Sequence, residues 1–237
     1  MDSELRTIIK KIRDSSLREK VLNLIQDPKI SICGKVYGGL SIDVSPASKN
    51  RHHSYEGGLI HHIVSSSKIA LTLCDITEEI YHGKIERDTV LAAIITHDLM
   101  KPLTYSPQKE ESFNTTQLGE EIDHLTLIVS ELIRREFPLE VIHAVTSHHG
   151  KNSPISPRTV EALICFLADF TDAALNGEVL YAAASLVERY IGEKTGRLSA
   201  EEAFALLRAK QSKGLSGLKS TFEDIKMRKK IENAHHL

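Results

Sequence analysis

From Gly58 almost to the C-terminus, apolar residues recur at the spacing of an α-helix. The pattern predicts helices over 58–75, 86–99, 118–136, 139–149, 157–175, 178–192, 199–211 and 216–232. The stretch 4–26 has the same period: Leu5, Ile8, Ile9 and Ile12, then Leu17, Val21, Leu24 and Ile25, with Ser15 or Ser16 as a cap and Pro28 as a stop. Pro138 and Pro157 fall near helix starts, and Gly150 and Gly177 near helix ends. Residues 28–57 instead hold Gly34, Gly38, Gly39, Pro46 and two short β-prone pieces, 30–32 and 40–42. They read as a long loop with a small hairpin, and loops of that length are commonly functional. The fold class is all-α: a helical bundle with an additional C-terminal helical segment. It reads as one domain over 1–237, with N-terminal helices and loop at 1–44, a core at 45–175 and C-terminal helices at 176–237.

Composition narrows the partners. With 41% hydrophobic residues and a net charge of -2, the chain can bury a sizeable core but offers no broad surface for nucleic acid or membrane. No apolar run reaches the roughly 20 residues of a bilayer span. Met1-Asp2-Ser3-Glu4 is no signal-peptide start, so a cytoplasmic protein is expected. Cys33, Cys74 and Cys165 are scattered and read as reduced core thiols. The basic run Lys226-Met227-Arg228-Lys229-Lys230 reads as a solvated helix end. Apolar helices after 178 are available to cover a neighbour in a homo-oligomer.

Histidine changes the picture, because most of the 12 lie between positions 52 and 149. His62, His97-Asp98, His124, His148-His149 and Asp169 each sit in or beside an apolar segment. Asp98 ends the run Val90-Leu91-Ala92-Ala93-Ile94-Ile95-Thr96-His97, where an unpaired carboxylate would cost several kcal/mol. A divalent cation removes that cost, and a helix C-terminus favours one. The set exceeds what one four-coordinate zinc takes. A His/Asp shell without thiolate suits Fe, Mn, Co, Ni or Mg, and the number of donors points to two ions about 3.5–4 Å apart. Such a pair activates water and polarises phosphoryl oxygens, which is phosphate-ester hydrolysis. Taken singly, each histidine would be an ordinary core or surface group; the set together is what points to metal.

The order His62 … His97-Asp98 … Asp169 resembles the signature of the HD superfamily of metal-dependent phosphohydrolases. His124 and His148-His149 match the extra ligands of its two-metal members. The segment Arg51-His52-His53-Ser54-Tyr55-Glu56-Gly57-Gly58-Leu59-Ile60-His61-His62 is similar to the HHxY-x-GGLxxH opening of one branch. Ser147-His148-His149-Gly150, Pro157, Glu161-Ala162-Leu163 and Ala168-Asp169 are similar to that branch's later motifs. The resemblance covers residues 45–175. It implies one divalent ion on His62, His97, Asp98 and Asp169, and a second on His124, His148 and His149, with Asp98 bridging. Fe(II) or Mn(II) is the expected pair. Lys101 fills the lysine of HD-x-x-K and would act on the substrate phosphate or leaving oxygen, making Asp98 and Lys101 the catalytic pair. His52, His53 and Tyr55 would bind substrate from a lid. Met100 departs from the usual glycine before that lysine. His61 stands where the branch often has an acid and competes with His62, which the register from Gly57-Gly58 selects. Asp172 reads as a supporting residue, Asp123 as solvent-facing, His143 as a core histidine, and His82, His235 and His236 as surface groups.

A weaker resemblance, to the HD branch that opens pterin 2′,3′-cyclic phosphates, rests on chain size, the N-terminal helix pair and the segments Asp123–Leu127 and Phe137–His143. It implies a phosphodiesterase acting on a small-molecule phosphate ester such as dihydroneopterin cyclic phosphate. The alternatives are a nucleotide phosphohydrolase, or a 3′-5′ exoribonuclease, whose preceding OB-like module residues 1–44 could not hold. From another class comes a non-catalytic HD nucleotide-sensing module. Such modules lose ligands, whereas this chain keeps them together with Lys101.

Overall fold

A computed structural model describes residues 2–108 and 112–235. The chain forms two compact units, Met1–Ala174 and Leu175–Leu237. The first begins with α1 (Ser3–Ile9) and α2 (Ser15–Gln26), whose first turns are capped by the carboxylates of Asp2 and Asp14. A two-stranded antiparallel hairpin follows, β1 (Ile30–Ile32) and β2 (Lys35–Tyr37), with Ile30 opposite Tyr37. The second strand is therefore not the expected 40–42. Cys33 and Gly34 both adopt positive φ, so a two-residue turn closes the hairpin at once. Cys33 is consequently exposed, which corrects its reading as a core thiol.

α3 (Gly58–Glu79) starts from Gly57, whose φ of 74° needs a glycine. Its buried residues Leu59, Ile60, His62, Ile63, Ser66, Ser67, Ala70 and Cys74 recur at three- and four-residue intervals, and His62 lies within that stripe. α4 (Arg87–Thr96) is different: after a partly exposed first turn, Val90 to Thr96 are all buried, so this part of the helix has no solvent-facing side and occupies the middle of the unit. α1, α2, α3 and α8 pack around it. Its C-terminal end carries His97 and Asp98 into the interior.

A short α5 (Lys101–Thr104) leads to a second hairpin, β3 (Tyr105–Pro107) with β4 (Phe113–Thr115), which periodicity did not predict. The helix expected over 118–136 is two, α6 (Gln117–Glu121) and α7 (His124–Arg134). Ile122 is extended and Asp123 caps α7 by accepting from Thr126 N–H at 2.7 Å, which an aspartate does better than it propagates a helix. α8 (Leu139–Thr146) follows Pro138 as expected, and Gly150 beyond it has a φ of 60°. α9 (Val160–Ile191) is one helix where two were expected, Gly177 being carried in its interior.

In the second unit, Ser199 and Glu202 satisfy each other's backbone N–H groups at the start of α10 (Ala200–His235). Gly214 leaves helical geometry within it, near the expected interruption. His236 lies outside the described residues. No helix among the described residues is long and apolar enough to cross a membrane.

Glu131 anchors the end of α7. It is buried and accepts from Arg134 Nε at 2.7 Å and Arg135 Nε at 2.9 Å, while Arg135 also donates to the Asp27 carbonyl at the end of α2. Burial alone would raise the Glu131 pKa, but the two guanidinium groups outweigh it and hold it below the usual 4.5. A depressed folded-state pKa contributes stability above the unfolded pKa, lost as pH falls through the folded value. Glu131→Gln is expected to cost about 1–3 kcal/mol at pH 7. It should also flatten the loss of stability below pH 4.5, the unfolded value. Chemical denaturation from pH 7 to pH 3 measures both, and an unchanged acid slope would remove Glu131 as its source.

Candidate metal centre

The elements of the first unit converge on one buried polar site. α3 supplies His62, the end of α4 His97 and Asp98, and α5 Lys101. α7 opens with His124, the turn after α8 holds His148 and His149, and α9 presents Asp169 and, one turn later, Asp172. His62, His97, Asp98 and His148 are all at most 1% exposed.

Hydrogen bonds fix the imidazole tautomers. His62 Nδ1–H donates to Asp172 Oδ2 at 2.7 Å, His97 Nδ1–H to the Ile94 carbonyl at 2.7 Å and His148 Nδ1–H to the Val145 carbonyl at 2.6 Å. Each bond leaves Nε2 with an inward-facing lone pair. His62 Nε2 and His97 Nε2 then face each other at 3.2 Å. Two lone pairs at that distance repel unless a proton or a cation lies between them. Asp169 Oδ1 is 3.0 Å from His62 Nε2 and 3.6 Å from His97 Nε2.

Asp98 divides its carboxylate between two groups. Oδ2 lies 3.4 Å from His62 Nε2 and 3.3 Å from His97 Nε2, while Oδ1 lies 3.4 Å from His124 Nε2. Lys101 Nζ stands 2.5 Å from Oδ2, but neither Asp98 oxygen has an aligned hydrogen bond. The buried Nε2 atoms of His124 and His148 also lack one. Four buried polar atoms without hydrogen bonds, aimed at one place, are what a cation would satisfy. Ligands about 2.1 Å from a shared ion lie about 3 Å apart, which these donor spacings approach. The residues therefore fit divalent metal. The four candidate donor groups among the described residues, His62–His97–Asp169, His97–Asp98–His148, His124–His148–His149 and His52–His53–His62, each share a member with another, as neighbouring ion sites would.

Electrostatics separates the two halves. Burial alone would lower the His62 and His97 pKa values. Asp169, Asp172 and Asp98 instead raise His62 well above its ordinary range, and Asp98 and Asp169 bring His97 to about 9. The pocket demands positive charge there. Burial would raise Asp98 and Asp169, yet His97 and Lys101 at the first, and His62 and His97 at the second, keep both ionised. On the other side burial pushes His124 down to about 4 and His148 well below its ordinary value, the neutral form that ligates metal. Burial opposes the charge of Lys101, but Asp98 raises its pKa and keeps it an ammonium.

The loop residues also reach the site. The rings of His52 and His53 lie 4.9 and 5.3 Å from that of His62, and burial depresses them to about 3 and about 2, so both are neutral. Tyr55 is buried, with its Oη 3.2 Å from His61 Nδ1, and His61 itself is exposed. Met100 is fully buried. His143 is elsewhere, accepting from Arg158 N–H at 3.1 Å. Two residues outside the expected donor set also reach the site. Asp172 contacts His62, as its place one helical turn after Asp169 foreshadows. Tyr105, half-buried on β3, feels the charges of Lys101 and Asp98, and no motif marks it.

A model of the HD domain matches residues 59–174. The chain is 43% identical over 169 residues to the dihydroneopterin 2′,3′-cyclic phosphate phosphodiesterase of Methanocaldococcus jannaschii, covering 71% of this chain and 68% of that protein. It is 31% identical over 153 residues to the 3′-5′ exoribonuclease YhaM of Bacillus licheniformis, spanning 60% of this chain and 46% of the relative. The YhaM of Bacillus subtilis is 31% identical over 142 residues, 43% of its length. No solved structure matches the chain.

Loading with Mn(II) or Fe(II), followed by desalting and elemental analysis, is expected to give about two ions per chain. Asp98→Ala should reduce retention, because the Asp98 oxygens lie within 3.4 Å of the Nε2 atoms of His62, His97 and His124. Full retention by that variant would remove Asp98 from the centre.

Proposed function

This chain belongs to the HD domain family, and on that premise we propose that it is a divalent-metal-dependent phosphodiesterase that opens a small 2′,3′-cyclic phosphate, with dihydroneopterin cyclic phosphate as the model substrate. The observation that carries the reading is the Asp98 carboxylate, whose oxygens face different histidine groups, as a bridging ligand requires. In this reading His62, His97, Asp98 and Asp169 hold one ion, and His124, His148 and His149 hold the other. Two bound ions would supply Lewis acidity at the phosphoryl group and an activated water.

The chain's own groups do the remainder. Lys101, buried and kept cationic beside Asp98, offers its Nζ protons to a phosphate oxygen and offsets charge that grows as the ester bond breaks. The buried imidazoles and Leu99, Met100 and Leu103 hold the polar site in an apolar surround, where each such contact is worth more than in water. His52 and Tyr55 place the substrate from the loop side. Preference for a cyclic ester over RNA is supported by the higher identity and longer coverage of the pterin cyclic phosphodiesterase match. A net charge of -2 agrees with a small substrate better than with a gripped strand.

The test is a panel assayed anaerobically with Fe(II) and in parallel with Mn(II). It contains 2′,3′-cyclic phosphates of a pterin and of adenosine, a 3′,5′-cyclic nucleotide, a phosphomonoester and a short single-stranded RNA. We expect kcat/KM for the pterin 2′,3′-cyclic phosphate to exceed that for the other classes by at least about tenfold. Lys101→Ala should lower kcat about 10²-fold or more while metal content stays unchanged. Stepwise shortening of RNA at a higher kcat/KM would instead establish the exoribonuclease reading.

A further inference from the structure

Asp172 does more than contact one histidine. Its Oδ2 lies 2.7 Å from His62 Nδ1 and 3.6 Å from His53 Nε2, so one carboxylate oxygen serves a residue of α3 and a residue of the loop before it. Asp172 is 5% exposed and His53 3% exposed. We propose that Asp172 is a positioning residue that couples the two: the carboxylate that orients His62 toward metal also seats His53, and through it the loop 48–57, over the centre. This rests on the reading of His62 as a metal ligand.

Independent features show that His53 is built into place. Its backbone φ is +43°, uncommon for a non-glycine residue and retained only where surroundings enforce it. Its carbonyl accepts from Ala47 N–H at 3.0 Å, and a Cβ on Gly58 would stand 2.1 Å from that carbonyl oxygen. The helix bearing His62 and the loop bearing His53 therefore touch backbone to backbone at a point only glycine permits. Asp172 Oδ2 faces His53 Nε2 at 3.6 Å, His53 Nδ1 lies 3.2 Å from His52 Nδ1, and the His52 carbonyl is held by Ser48 Oγ at 2.7 Å. His53, 3% exposed, is thus read as a strut, and the partly exposed His52 as the loop histidine that meets substrate. This divides the expected roles of the loop residues: His53 does not itself bind.

Coupling makes a prediction that needs no substrate. Arg51 is exposed beside the two histidines and reports the seating of the loop to trypsin. In the full 237-residue chain, Mn(II) loading is expected to slow cleavage at Arg51 by roughly tenfold, the effect of about one net contact on the open population. Asp172→Ala should weaken Mn(II) binding, read by competition with a chromophoric chelator, by about 10–100-fold and abolish the protection even at saturating Mn(II). Asp172→Asn keeps a carbonyl oxygen in place and should recover a substantial part of both effects together, and it serves as the second variant if the alanine form does not fold. His53→Ala should lose the protection while changing Mn(II) affinity far less than Asp172→Ala does. Failure of the wild-type chain to bind Mn(II) would sink the metal reading itself. Wild-type binding with Arg51 still protected in saturated Asp172→Ala or His53→Ala, or with Mn(II) affinity unchanged in Asp172→Ala, would overturn the coupling.

Discussion

The carboxylate of Asp98 is the constraint around which the first unit is organised. Placed at 1% exposure just beyond a helix buried from Val90 to Thr96, it would carry a desolvation cost of several kcal/mol if left ionised and unpaired. Protonation does not relieve it, because His97, Lys101 and His62 keep it charged. The surrounding chemistry follows from that fixed negative charge. A cation must come to it, and the structure supplies Lys101 on one side and an array of imidazole lone pairs on the others.

That requirement explains why α4 is built as it is. A helix whose residues from Val90 to Thr96 are buried on every side can sit in the middle of a bundle, and α4 touches α1, α2, α3 and α8. Near its C-terminal end, side chains from α3, α7, α9 and the turn after α8 come together with His97 and Asp98. His62 arrives from α3, His124 from the capped start of α7 and His148 from beyond α8, each with its geometry set by backbone rather than by a flexible stem. The rings of His62, His97 and His148 are held by Nδ1–H bonds to Asp172 or to backbone carbonyls, a pre-organisation that a metal centre would use.

Much of this was legible in the chain. The helical period marks α1 to α4 and α8, and polar residues inside apolar runs identify the groups that converge, because burial makes a lone His or Asp conspicuous. Where periodicity failed, a local preference or a long-range contact had the stronger voice. Asp123 ends one helix and caps the next although the apolar spacing runs across it, and Gly177 is tolerated inside α9, where its helix penalty of roughly 1 kcal/mol is outweighed by flanking apolar turns. The β3–β4 hairpin is held by three residue pairs, too short for alternation to register. Asp172 could be placed one turn beyond Asp169, but its second contact depends on a loop whose path no pattern encodes.

That loop shows why a strained backbone and a glycine occur side by side. His53 at positive φ turns its carbonyl toward α3, and only the missing side chain of Gly58 lets the two backbones meet. The same turn directs the ring inward to Asp172. Relaxing the φ would free about 1–3 kcal/mol locally, yet it would withdraw the imidazole and expose the carboxylate that orients His62. The strain persists because the surroundings hold the residue, the Ala47 N–H bond to the His53 carbonyl at 3.0 Å among them. One oxygen atom of Asp172 thus lies against both the helix that carries His62 and the loop that carries His53, at 2.7 and 3.6 Å, and α9 fixes where that atom sits.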